Sequence, residues 1–385
     1  MRNAIREYLE LSEQEKKDLW ISATFVFDTN VLLNLYRYSA KTRESLLHAL
    51  EDLKDRIWIP HHVAEEFMKD RYKVISEYNS AFEEIKNASQ EFVDKCIGMF
   101  RLNANDAEIV EINNAITEWR TRFEEQNPRV QDYSADFVLE RLLSLFDGKV
   151  GDGFNPEEIS NIETEGKERY ANQIPPGYKD ANKQKAGSDN VYGDLIIWKE
   201  LLRFARSNEK DIIFITGDQK EDWWNTFKGK TIGPRVELRR EFYKETRNRR
   251  FHMYTMKQFL LVFSETKGER VDDSIIDEIG KVAKEKEQTE DTHDAGRIKK
   301  LEDQLVNLYD KNEKRVNAIK LLQGQLKRGA GNPEEKMIQI RSIEANISRA
   351  EKEIDRINLE LKSLKARRER RQILLDEELE GIVGM

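Results

Sequence analysis

The chain has 385 residues, of which 36% are charged and 38% hydrophobic. That apolar share is thin for one compact globule, so part of the chain is expected to be elongated. Its single cysteine, Cys96, excludes a disulfide framework and any cysteine-based zinc site, and fits a reducing, cytoplasmic setting. No basic-then-apolar leader opens the sequence, and the longest apolar run, FLLVF at 259–263, is far too short for a bilayer; neither secretion nor membrane spanning is expected. Of 65 basic and 73 acidic residues, 23 and 21 fall within 281–385, which leaves the tail at net +2 and residues 1–280 at net −10. So acidic a domain binds phosphate polymers poorly unless bound cations neutralise its carboxylates.

In chain order, a helical lead over 1–21 is followed by TFVFD, an apolar β-branched and aromatic run that reads as a buried strand delivering Asp28 at its carboxyl end. TNVLLNLYRY then takes up helical spacing, with Thr29 or Asn30 as the N-cap. A helix over about 41–54 leads to the short strand RIWIP, and HHVAEEFMKDRYKVI resumes a helix that places Val63, Phe67 and Val74 on one side. His61 and His62 read as caps of that helix rather than as catalysts. Residues 75–147 show apolar steps of three and four only, predicting a helical insertion. The glycine- and proline-punctuated stretch 148–190 reads as a long loop bordering the site. VYGDLIIWKELLRFA is an amphipathic helix with Trp198 on its apolar face, and DIIFITGD a second buried strand ending in Asp218. A helix start at EDWWNTF, a charged helix near 235–247, a strand FHMYT and a helix TMKQFLLVF complete the domain. Trp223 and Trp224 are candidates for stacking bases. Strands alternating with helices imply a parallel three-layer sheet whose ligands sit at the carboxyl edge of the strands.

Beyond a helical linker over 266–296, residues 297–385 are charged and poor in aromatics. Leu301, Leu305, Leu308, Asn312, Arg315, Ile319, Leu322 and Leu326 step by four and three. After GAGNP, Ile340, Ile343, Ile347, Ala350, Ile354, Ile357, Leu361 and Leu364 continue the heptads. The short breaker suits an antiparallel coiled-coil hairpin. In RRERR at 367–371, Arg368 and Arg371 fall on the seam, so apolar pairing is expected to end there.

The chemistry resides in acids. An aspartate straight after a buried strand lies at the ligand edge of the sheet, and both Asp28 and Asp218 do; Asp194 opens an apolar helix, where a plain capping role competes, and Glu66, beside Glu65, sits on another. Carboxylates converging in one cleft repel one another unless a cation sits among them, and all-oxygen ligands suit Mg²⁺ or Mn²⁺, metals that serve phosphodiester cleavage.

FVFDTNVLL, VAEEF, GDLIIWKELL and FITGDQKEDWW, in this order over residues 22–265, resemble the four acidic motifs of PIN-like ribonuclease domains, in particular the bacterial subgroup with a long helical insertion. The resemblance implies an α/β/α sandwich and Mg²⁺- or Mn²⁺-dependent endonucleolytic cleavage, most often of RNA, with DNA not excluded. It places metal and catalytic roles on Asp28, Glu66, Asp194 and Asp218, with Asn30 and Thr216 in support. Glu65, Asp180 and Asp222 are further acids that could serve as outer ligands or as turn and cap residues. Lys183, Lys185, Arg239, Arg240, Arg247, Arg249 and Arg250 are candidates for nucleic-acid contact or for solvated faces. By analogy the family suggests a toxin or antiviral defence role, with the coiled coil serving homo-oligomerisation or a partner protein. The competing reading is a catalytically inactive PIN-like scaffold that oligomerises through its tail. A nucleotide-binding reading lacks both GxGxxG and GxxxxGK[ST].

Overall fold

The computed structural model describes residue 6 and residues 8–179, 191–218, 220–227 and 230–383. The chain divides into two compact units, Met1–Ala283 and Lys284–Met385.

The first unit is built on a four-stranded parallel sheet in the order β2-β1-β3-β6, from β1 (Thr24–Phe27), β2 (Ile57–Trp58), β3 (Ile212–Ile215) and β6 (Phe251–Tyr254). Phe25 pairs with Ile57 and Ile213, and Phe214 with Val26 and Met253. All eight residues of β1 and β3 are buried, as continuous β-branched and aromatic runs require when helices cover both faces. Side chains two apart share a face. Phe25 and Phe27 meet Phe259 of α10 (Met256–Lys267), and Phe25 meets Trp20 of α1 (Glu13–Ser22) edge-on at 4.9 Å. On the other face Phe251 meets Trp198 of α8 (Gly193–Asn208) at 5.1 Å, and Phe242 of α9 (Val236–Glu245) stacks on Phe251. Trp198, Phe25, Phe27, Phe242 and Phe259 are essentially inaccessible to water; each buried aromatic of this size contributes about 2 to 3 kcal/mol.

The helices follow their caps. Ser12 with Glu15 and Thr255 with Gln258 form capping boxes that start α1 and α10. α2 (Thr29–Leu33) is capped by Asp28 itself, not by Thr29 or Asn30, and runs into a short 3-10 turn. α3 (Ala40–Asp52) precedes β2. α4 (His61–Phe100) and α5 (Ala107–Gln126) form the bulk of the helical insertion, closed by α6 (Phe137–Phe146). Residues 148–190 differ from the expected loop, because a 16-residue helix, α7 (Pro156–Ala171), lies inside them. Its start carries proline at the first helical position and a capping box between Asn155 and Glu158. EDWWNTF does not start a helix either: β4 (Trp224–Phe227) pairs antiparallel with β5 (Lys230–Pro234) in a separate hairpin.

In the second unit α11 (Asp273–Lys327, which begins in the first) and α12 (Pro333–Val383) run antiparallel. Ile298 and Leu301 pack with Ile357, Leu361 and Leu364, with Leu305 and Leu308 alongside. Charged pairs fix the alignment: Arg297 with the buried Glu360 at 2.9 Å, Lys365 with Glu302 at 2.6 Å, and Arg368 with both oxygens of Asp291 at 2.9 Å. The two polar seam positions bond to each other, Arg315 Nη1 donating to Asn312 Oδ1 at 2.9 Å. Among the described residues no helix is long and apolar enough to cross a membrane.

Candidate active site at the carboxyl edge of the sheet

β1 and β3 are neighbours, so the residues that follow them meet. Asp28 caps α2, its Oδ1 accepting from Thr29 N at 2.8 Å. Its Oδ2 accepts from Asn30 Nδ2 and from Thr216 Oγ1, both at 2.6 Å. Asn30 reaches across to β3, its Oδ1 accepting from Gly217 N at 2.8 Å. A Cβ on Gly217 would lie 2.7 Å from that oxygen, so glycine is required by close approach rather than by its backbone angle. Thr216, 1% exposed, also accepts from Asp218 N at 2.9 Å. Asp218 is in turn bonded twice by Lys220, through its amide at 2.8 Å and its ammonium at 2.9 Å. The second element joins through a hydroxyl, since Thr29 Oγ1 donates to Glu66 Oε2 at 2.6 Å. Glu65, one residue earlier, instead faces solvent and meets His61 Nδ1 at 3.4 Å. One network of short hydrogen bonds thus ties Asp28, Glu66 and Asp218 together through Asn30, Thr29 and Thr216.

Asp194 and Asp222 belong to a second group. Asp194 is the second residue of α8, whose N-cap is Tyr192, so Asp194 is not a cap. Asp222 is fully buried and accepts from Gly177 N and Lys179 N, both at 3.1 Å. Gly177, with φ of +86°, lies against Asp194: a Cβ there would come within 2.9 Å of the aspartate's own Cβ. Asp222 therefore holds the turn that walls Asp194. Asp218 and Asp222 sit four residues apart on one segment, and Trp224 Nε1 donates to Asp218 O at 2.5 Å.

The described network does not include every expected site residue. Asp180, Lys183 and Lys185 are outside the described residues. Trp223 and Trp224 are 2% and 3% exposed and belong to the core, so they offer no stacking face. Arg239, Arg249 and Arg250 gather at the opposite, amino edge of the sheet, where Arg250 forms a fork with Asp211 and Arg249 pairs with Glu209. Arg240 lies over the Tyr8 ring at 4.3 Å. His61 and His62 do not cap α4 with their side chains; Pro60 precedes the helix, and the buried Glu200 of α8 accepts from His62 N at 3.2 Å. Burial pushes the Glu200 carboxyl up to about 7. Glu200 and Lys220 were not singled out in sequence. The signal for Glu200 is an acid among the apolar positions of α8, and for Lys220 its place two residues beyond a strand-end aspartate.

The donors offered by Asp28, Glu66, Asp194 and Asp218 are all oxygen, which is the chemistry of a hard divalent cation. Among the described residues no three His, Cys, Asp or Glu side chains form a ready-made metal cage. Mg²⁺ needs none, being held through one or two carboxylates with waters and substrate phosphate completing its shell. The residues present fit such an ion.

A parallel α/β sheet with acids gathered at the ends of two adjacent strands defines the class of α/β proteins that bind their ligand at the strand carboxyl edge. Residues 24–238, more than half of the chain, match the family described as PIN like domain, and the chain belongs to this family. Comparison with curated proteins and with solved structures finds no match.

Proposed function

We propose that the protein is a divalent-metal-dependent endonuclease that hydrolyses phosphodiester bonds of RNA. The observation that carries the reading is the hydrogen-bonded network joining Asp28, Asn30, Thr216, Asp218 and, through Thr29, Glu66. Membership of a family whose domains are generally nucleases supports it. Asp28, Glu66, Asp194 and Asp218 would hold Mg²⁺ or Mn²⁺. Such an ion would supply charge stabilisation at a scissile phosphate and a more acidic water. Asn30 and Thr216 orient Asp28 by donating to the same oxygen, leaving that carboxylate in one rotamer. Lys220 offsets the charge of Asp218. Asp222 fixes the turn beside Asp194.

Asp28→Asn keeps the shape of the network and removes a charge. Incubated with cellular RNA and Mn²⁺, the wild-type chain yields defined cleavage ends and this variant yields none, while single-stranded DNA in a parallel reaction tests the other polymer. Undiminished cleavage by the variant overturns the reading and leaves the inactive scaffold. In the same proposal the protein is a growth-arrest or antiviral effector, toxic on expression only with Asp28 intact, and the helical hairpin serves assembly.

A further inference from the structure

At the amino edge of the sheet, away from the acidic network, a cavity of about 40 Å³ opens between the segment before α1 and the start of β6. Its charged lining among the described residues is wholly cationic: Arg6, Arg239, Arg249 and Arg250, with Tyr243 and three apolar side chains completing the wall. Each arginine has a carboxylate partner, but none of those acids lines the cavity. Arg6 pairs with Glu15, Arg239 with Glu10 at 2.7 Å, Arg249 with Glu209 at 3.1 Å and Arg250 with Asp211 at 2.7 Å. A guanidinium has five N–H donors and each pairing uses only some of them.

Arg239 sets this group apart from an ordinary ring of ion pairs. It is 7% exposed, its Nη1 and Nη2 are engaged by Leu9 O and Glu10, and its Nε meets no acceptor among the described residues. Burial, reinforced by the neighbouring Arg6, holds its guanidinium below the usual range against the pull of Glu10. Arg249 Nε is likewise buried and unpartnered. A buried cation with an unused donor costs free energy unless an acceptor is supplied.

We propose that this cavity is a binding site for a phosphate group. The volume is several times the minimum for one water and suits one tetrahedral oxyanion, not a nucleoside. Planar forked donors from several arginines are the arrangement that recognises such an anion. The strands of the sheet, with the residues flanking them, separate the cavity from Asp218 by roughly 20 Å, so the site is distinct from the acidic edge. The anion is either free inorganic phosphate or the phosphomonoester of a nucleotide whose remainder lies outside the cavity.

The test is calorimetric titration and thermal shift on the full chain in the presence of a chelator, comparing inorganic phosphate and adenosine monophosphate with sodium chloride of equal ionic strength. Arg239→Gln risks unfolding, so the variants are Arg6→Gln and Arg249→Gln, whose side chains are partly exposed. Phosphate is expected to raise Tm beyond the chloride control in the wild type and equally in Asp28→Asn, and each arginine variant to weaken binding about tenfold. Binding of inorganic phosphate alone assigns the free ion, and equal binding of the monophosphate assigns the monoester; either supports the site. A shift no larger than that of chloride, or unchanged affinity in the Arg6→Gln/Arg249→Gln double variant, overturns it.

Discussion

At the scale of single residues, the acidic network is held by uncharged side chains, those of Asn30, Thr29 and Thr216. Gly217→Ala places a methyl 2.7 Å from Asn30 Oδ1, and the amide must either turn away from Gly217 or release Asp28. Misplacement of a positioning group by about 1 Å can cost on the order of a hundredfold in rate. The expected outcome is a cleavage rate reduced by about that factor with an unchanged circular dichroism spectrum; wild-type kinetics would contradict the assigned role. Asp28 and Asp218 were legible in the sequence because a strand end is marked by an apolar run that stops at an acid. Glu66 was separable from Glu65 only through its place before Phe67. Thr29 was not legible as the link to Glu66, because a hydroxyl bridging two elements leaves no periodic trace. A WW pair beyond a strand looks in sequence like an exposed platform, whereas Trp223 and Trp224 are buried, Trp224 at the start of the β4–β5 hairpin.

At the scale of elements, α4 and α6 are locked by a fully buried ion pair. Arg71 Nη1 and Tyr36 OH both donate to Asp136 Oδ2 at 2.8 Å, and Asp136 Oδ1 caps α6 by accepting from Leu139 N at 3.0 Å. Burial pushes the Tyr36 hydroxyl well above its ordinary range, with the Asp136 charge adding to it, so Tyr36 remains a donor at any working pH. Removing only the cation leaves an uncompensated buried carboxylate, which costs about 3 to 5 kcal/mol. Arg71→Met is therefore expected to lower stability by that amount in denaturant titration, and Arg71→Met with Asp136→Asn to recover part of it. A loss below about 1 kcal/mol in the single variant would show that water reaches the pair. Helix α7 is masked in the composition of 148–190 by the glycines and prolines on either side of it. Its start was visible in retrospect in NPEE, where an asparagine cap, a first-position proline and a glutamate three residues on coincide.

At the scale of the whole molecule, two buried ionisable groups give stability opposite dependences on pH. Burial depresses His252 to about 3 from 6.5. The unfolded chain binds this proton first, so the contribution is fully present above pH 6.5 and is lost as pH falls toward 3. Glu200 is raised from 4.5 to about 7. Its contribution is fully present below pH 4.5 and is lost as pH rises through 7. His252→Phe should flatten the acid limb of the Tm profile between pH 6.5 and 3. Glu200→Gln, which retains an acceptor for His62 N, should match the wild type near pH 4.5 and exceed it above pH 7 by about 3 kcal/mol. Identical profiles for variant and wild type would remove the respective assignment. The paired helices of the tail are marked by a shift from aromatic-rich alternation to heptads, since a helical pair needs apolar residues on one stripe only. The reach of α11 back into the first unit was not visible, because the helical period continues unbroken across residue 284.

The amide of Asn30 spans from the end of one strand to the end of the next, holding Asp28 with one hand and the backbone of Gly217 with the other. A sheet assembled one residue out of step would turn every core side chain to the wrong face and would also pull these partners apart by about 3.3 Å. Under the proposed function, correct strand alignment is thus a precondition of activity, so only molecules whose strands found their proper neighbours are expected to cleave after refolding.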